Sequence, residues 1–137
     1  MLKCLVVTPE KTLLNMDATF VVLPLADGEY GILSGHTPLI ARLGAGELRI
    51  TGTDGQLTHY YVEGGFAEVL EDTIALLSMY ALPAKDLNLE QVQTQLEELL
   101  ASHTDTMEFA GMRQEKLHHQ RARVRVAQKM AEQAGNR

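Results

Sequence analysis

The chain has 137 residues, of which 45% are apolar and 22% charged, with a net charge of −6 and a single cysteine. That length suits one small domain, or one domain with an appendage, and the composition excludes a disordered tail. The lone Cys4 excludes an internal disulfide and points to a reducing interior. Thr73 to Ala84, the longest uncharged apolar stretch near the domain end, is 12 residues. A bilayer span needs about 20, so no direct membrane insertion is expected. The opening MLKCLVVTPEK lacks the basic and apolar blocks of a secretory signal.

Residues 1–84 read as strands separated by turns, in short runs of Val, Leu, Ile, Thr and Tyr. The runs are Lys3–Thr8, Lys11–Met16, Thr19–Pro24, Tyr30–Leu33, Leu39–Leu43, Glu47–Thr51, Gln56–Val62, Phe66–Leu70 and Thr73–Tyr80. Turn chemistry lies between them, at Ala26-Asp27-Gly28, Gly44-Ala45-Gly46, Asp54-Gly55, Gly64-Gly65 and Glu71-Asp72. Asp54-Gly55 predicts a tight primed hairpin turn, which needs two residues that tolerate positive φ. Cys4 falls in an alternating apolar run and is expected to be a small buried hydrophobe.

The period changes at Pro83. Leu89, Val92, Leu96, Leu99 and Leu100 share one face of a helix, with Asn88 as its N-cap and Gln91 three residues on. The helix is expected to stop near Ser102-His103-Thr104. Asp105 offers a second N-cap, with Glu108 in the capping-box place. Phe109, Met112, Leu117, Val124, Ala127 and Ala131 continue a looser apolar face, and Ala101, Ala110 and Ala127 would let two helices approach closely. The expected fold is α+β in two parts, an all-β sandwich over 1–84 and an antiparallel two-helix hairpin over 85–137.

Charge divides the same way. Residues 1–84 hold four basic side chains against ten acidic ones, whereas 85–137 hold eight of each. Arg113, Lys116, Arg121, Arg123, Arg125 and Lys129 run along the second helix with Glu115 as the one acid among them. An acidic body with a basic terminal helix implies two surfaces with two partners. Nucleic acid is not the expected partner, because the chain is acidic overall and has no Trp or stacking platform.

No nucleophile-elbow, zinc-protease, CxxC or phosphate-loop motif occurs, so no catalytic site, metal or cofactor is expected. His118 and His119 are adjacent, point about 100° apart on a helix and cannot chelate as a pair would. Glu71-Asp72 and Glu97-Glu98 read as solvated carboxylates.

One segment is not generic. Asp27-Gly28-Glu29-Tyr30-Gly31-Ile32-Leu33-Ser34-Gly35-His36-Thr37-Pro38-Leu39 resembles the G-x-x-G-I-L-P-G-H-x-P-L signature of ATP synthase epsilon subunits. Val6-Val7-Thr8-Pro9-Glu10-Lys11, Leu43-Gly44-Ala45-Gly46-Glu47-Leu48-Arg49-Ile50 and Tyr61-Val62-Glu63-Gly64-Gly65-Phe66-Ala67-Glu68-Val69 agree in order and spacing. The resemblance covers the whole chain. Ser34 departs from the proline common there, though serine also occurs in some branches. Glycine and proline stiffen this loop, so that Glu29 and His36 stand as rigid contact points.

The resemblance implies a β-sandwich of about ten strands at the foot of a rotating stalk, against the gamma subunit and the c-subunit ring. It places Glu29, Ser34, His36 and Pro38 at that junction. The location it implies is peripheral, on the cytoplasmic face of a bacterial inner membrane, with a plastid thylakoid as the second choice. The helices would rest on the sandwich during turnover. Extended along gamma to the alpha/beta ring, they would resist hydrolysis through their basic residues. Some relatives bind ATP through an (I/L)-D-x-x-R-A motif, but here Asn88, Gln91 and Val92 replace its Asp, Arg and Ala, so no nucleotide site is expected. The alternative is a free-standing β-sandwich binding module with a helical dimerisation hairpin.

Overall fold

Alternating apolar side chains give seven strands in the computed structural model, which describes residues 1–102 and 107–135. They are β1 Leu2–Val7, β2 Thr12–Leu25, β3 Gly28–Leu33, β4 Leu39–Arg42, β5 Ala45–Gly52, β6 Leu57–Leu70 and β7 Thr73–Pro83. A 3-10 turn, Ala84–Asp86, leads to α1 Leu89–Ala101 and α2 Met107–Gly135. The chain forms two compact units, Met1–Pro83 and Ala84–Arg137.

The strands close on themselves. β1 pairs in parallel with β7 and antiparallel with β2, while β2–β5, β5–β6 and β6–β7 complete the circuit. β3 pairs with β2, and β4 with β6. The two 14-residue strands serve both layers of the sandwich. Closure removes most exposed strand edges, leaving β3 and β4 as edges among the described residues.

Seven strands replace nine runs because two apparent breaks lie inside strands. Around Asp17-Ala18 the register slips between Ala18 and Phe20, and the inward row changes phase from Ala18 to Val21. This is a β-bulge, and β2 continues through it. At Gly64-Gly65, β6 leaves β5 for β4 while its pairing with β7 skips Gly64 but keeps its register from Glu63–Tyr80 to Phe66–Leu77. Both glycines have positive φ, 71° and 100°.

Asp54-Gly55 is not the tight primed turn that its composition suggests. Positive φ falls on Gly55 alone, and the connection is longer, closed by Gly52 N–H to Gln56 O at 2.9 Å. Asp54 Oδ1 accepts from the Gln56 N–H at 3.0 Å. The turn with two consecutive left-handed residues is Glu71-Asp72, with φ of 49° and 62°.

Inward side chains of both layers make the core. Leu2, Val6, Val21, Leu23, Ile32, Leu48, Ile50, Val62, Ile74 and Leu76 are buried to within 1% exposure. Each contributes about 1.5–3 kcal/mol relative to exposure. Cys4 is part of this core, and burial pushes its thiol up to about 12, which makes it a packing residue.

In the helical unit, Asn88 Oδ1 accepts from Gln91 N–H at 2.9 Å and caps α1. Val92 is buried and Leu100 is 46% exposed. The helices run antiparallel. Gln120 Nε2 of α2 donates to Val92 O and Gln95 Oε1, while an Arg113 Nη2 donates to Leu100 O at 3.3 Å at the other end of α1.

The buried face of α2 differs from the one read by apolar type. Leu117, Gln120, Ala122, Val126 and Ala127 are buried, whereas Met112 and Ala131 are exposed. Polar Gln120 faces inward because its amide finds a backbone carbonyl and a side-chain partner. Ala101, expected at a close helix approach, is exposed. Asp105 lies outside the described residues, as do the side chains of Glu108, Phe109 and Ala110.

Candidate functional site

The signature segment is half strand and half loop. Gly28–Leu33 forms the edge strand β3, and residues 34–38 cross from β3 to β4. Gly31 sits inside β3 with an ordinary backbone. A Cβ there would lie 2.9 Å from the tip of the Phe20 ring, so a larger residue would require that ring to shift.

The crossing loop is held by the β6–β7 turn. One carboxylate oxygen of Asp72 accepts from Ser34 Oγ and the other from the Gly35 N–H, each at 2.7 Å. Gly35 takes φ +86° so that its amide points at Asp72. These donors, the Gly35 amide first and the Ser34 hydroxyl second, hold the Asp72 carboxyl below the usual carboxylate range. Serine at position 34 therefore has a reason: its hydroxyl donates a bond that proline lacks. Asp72, which reads as a solvated turn residue in the sequence, clasps the loop instead.

The sign of the acid response follows. A depressed carboxyl stabilises the fold above the ordinary aspartate value of about 3.9, and that contribution is lost as pH falls through the lower folded value. Asp72→Gly keeps the left-handed turn but removes both acceptors. We expect the Gly35 amide to exchange with solvent faster by roughly an order of magnitude in that variant. Its stability should also lose the acid-dependent step. Unchanged Gly35 protection in hydrogen exchange would contradict the clasp.

His36 is fixed from both sides. Its Nδ1 lies 2.6 Å from Thr37 O, a contact that requires an N–H. In the neutral ring Nε2 is then the acceptor for Tyr30 Oη–H at 2.8 Å. The two rings meet edge to face, with centroids 5.5 Å apart. Pro38 lies elsewhere, in a shallow apolar groove with Leu39, Ile40 and Leu70. Glu29 touches neither loop residue and is paired with Arg49, Nη2 to Oε2 at 2.6 Å. The four expected contact residues are thus spread from β3 through the crossing loop to the start of β4 and do not converge on a single point.

A second surface adjoins these residues. Arg42, Phe66, Leu77 and Val7 stand opposite one another across β4, β6, β7 and β1, as do Ile40, Glu68, Ala75 and Leu5. Directly opposed residues share a face, so these form one outward band. Ile40 is 72% exposed, Phe66 54%, Leu77 58% and Met79 70%. Exposed apolar side chains grouped in this way, with Arg42 and Glu68 among them, make a candidate partner surface. Periodicity did not reveal it, because alternation identifies strands but does not say which apolar face lacks a cover.

On α2, Arg121, Arg125 and Lys129 recur every four residues and form one exposed stripe. Lys116 is exposed on another side, and Arg123 is half-buried. Arg113 donates to the C-terminal carbonyls of α1, where a cation suits the helix dipole. Asn88 is occupied as a cap, Val92 is buried and Gln91 is exposed. The groove beside them along α1 is lined by Asn88, Glu90, Gln91, Thr94, Gln95 and Glu98. Among the described residues its lining offers carboxylates and no cation to a phosphate.

Residues 1–84 match the family profile for the ATP synthase delta/epsilon chain, beta-sandwich domain. The ATP synthase epsilon chain of Rhodopirellula baltica is 37% identical over 126 residues, covering 92% of this chain and 98% of that one. The chain belongs to the ATP synthase epsilon chain family. The sodium ion specific epsilon chain of Propionigenium modestum is 30% identical over 126 residues, 90% of each chain. A chain in the Euglena gracilis mitochondrial ATP synthase assembly of OSCP, F1 and c-ring superposes with a TM-score of 0.77 at 21% identity. That likeness covers 88% of this chain and 78% of that one. A chain in the Tetrahymena thermophila mitochondrial ATP synthase central stalk and c-ring gives 0.69 at 17%, covering 92% and 96%. These two likenesses show a shared fold. The α+β architecture of sandwich and helix pair agrees with the family reading of the signature segment.

Proposed function

We propose that this epsilon-family chain is a non-catalytic subunit of the ATP synthase central stalk that couples rotation of the c-subunit ring to the catalytic head. The observation that carries the reading is the exposed apolar band through Ile40, Phe66, Leu77 and Met79 beside a loop pinned by Asp72. The band is the docking face for the gamma subunit. The segment with Glu29, Ser34, His36 and Pro38 is the contact with the ring. A rotor must transmit torque without slipping, and a loop held at two points by a neighbouring turn deforms less than a free one. The superposed chains belong to an OSCP, F1 and c-ring assembly and to a central stalk with its c-ring, which supports these partners.

The subunit works at the membrane as a peripheral protein, on the cytoplasmic face of a bacterial inner membrane. Among the described residues no helix is long and apolar enough to cross a bilayer. The α2 stripe of Arg121, Arg125 and Lys129, with Lys116 nearby, is the part that meets the alpha/beta ring and restrains hydrolysis.

Co-purification with gamma tests the docking face. Leu77→Glu should abolish capture by gamma while leaving the melting temperature of the isolated chain within about 2–3 °C, because the residue is 58% exposed. A chain that ignores gamma, or that self-associates through its helices, would overturn the proposal.

A further inference from the structure

Glu29, Arg49, Glu47 and His59 lie along the outer face of β3, β5 and β6, outside the loop contacts described above. Arg49 stands on β5 opposite Val22 of β2 and His59 of β6. One guanidinium nitrogen reaches Glu29 Oε2 at 2.6 Å, across β2, and the other reaches Glu47 Oε1 at 3.2 Å. The second oxygen of Glu47 lies 3.3 Å from His59 Nδ1. Side-chain exposure is 60% at Glu29, 27% at Arg49, 15% at His59 and 6% at Glu47. The chain of charges therefore has a buried end and an exposed end.

That gradient gives it a direction. A guanidinium presents its donors in one rigid plane, so the nitrogen bound to Glu47 fixes where the other one points. Glu47 has little room to wander, because its side chain is only 6% exposed and lies 3.3 Å from His59 Nδ1. Glu29 has a long, exposed side chain that would otherwise sample many rotamers. A lone exposed ion pair would order it weakly, but a donor anchored on a buried carboxylate has already lost its own freedom.

We propose that Arg49 is the positioning residue for Glu29, holding its carboxylate in the orientation presented to the ring, with Glu47 as the buried anchor. This rests on the reading of Glu29 as a ring contact. Lysine cannot replace arginine here. Its single ammonium carries the same charge but has no two-armed plane to join both carboxylates.

The test uses the assembled complex in inverted membrane vesicles, reading ions pumped per ATP hydrolysed, together with thermal melting of the isolated full chain. Glu29→Ala should lower the pumping yield. Arg49→Lys should lower it to the same level while the isolated chain melts within about 2–3 °C of wild type. The double variant should fall no lower than either single one. Glu47→Gln, which keeps Arg49 but weakens the anchor, serves if Arg49→Lys folds poorly, and it should also act non-additively with Glu29→Ala. Full pumping in Arg49→Lys beside a deficient Glu29→Ala would overturn the positioning role and leave the Glu29 contact standing. Additive losses in the double variant would do the same. Full pumping in Glu29→Ala itself would remove the contact and the positioning role together.

Discussion

Gly65→Ala is expected to unfold the β domain. A Cβ at this position would lie 1.8 Å from the carbonyl oxygen of Leu77, which is backbone and paired within the sheet. Position 65 also requires φ of +100°, a conformation that alanine rarely adopts. Neither problem has a local remedy, because β6 is paired with β7 on both sides of the kink. The cost should exceed about 4 kcal/mol, a large part of the 5–15 kcal/mol that holds a typical domain together. Its neighbour is the control. Gly64 also has positive φ, but a Cβ there meets only the Met79 side chain, at 3.7 Å. Gly64→Ala should cost only about 1–2 kcal/mol, for the left-handed backbone. Thermal melts of both variants check this, and comparable stabilities at the two positions would refute the account.

Removing everything after Lys85 should leave the subunit able to assemble and should raise ATP hydrolysis by the complex. The cut falls just beyond the compact unit Met1–Pro83, so the strands and their pairings remain. It deletes the exposed stripe of Arg121, Arg125 and Lys129. Each exposed pair that these residues make with an acidic partner contributes only about 0–1 kcal/mol and weakens with salt. Together they reach the 1–3 kcal/mol of a typical coupling free energy, which corresponds to roughly 5–150-fold in an equilibrium. A rise of several-fold is the expected scale. Reversing the charge at Arg121 and Arg125 alone should give part of that rise, and added salt should narrow the difference from wild type. Hydrolysis unchanged by truncation would remove the brake and leave the coupling role intact.

The sequence disclosed the parts of this protein that depend on local pattern. Asn88 reads as a cap and is one, Cys4 reads as core and is core, and alternation marks the strands. Features that depend on distant partners stayed hidden. Gly64-Gly65 has turn composition, yet one residue must clear the carbonyl of Leu77 and the strand runs on. Asp72 has the composition of a solvated turn, and only the approach of residues 34 and 35 makes it a clasp. Gln120 is polar by type and buried because α1 carbonyls lie within its reach. The Glu29–Arg49–Glu47 chain spans two strands and could not be found from spacing along one.

The parallel pairing of β1 with β7 has a consequence for how the protein is made. Lys3 finds its partner at Thr73, so β1 cannot close the sheet until almost the whole of this domain has been synthesised. Such non-local closure makes folding slow compared with a helix pair, whose contacts are near in sequence. During synthesis the early strands wait with unpaired edges, exposed to chaperones and to one another. Closure of the β domain therefore waits for its seventh strand.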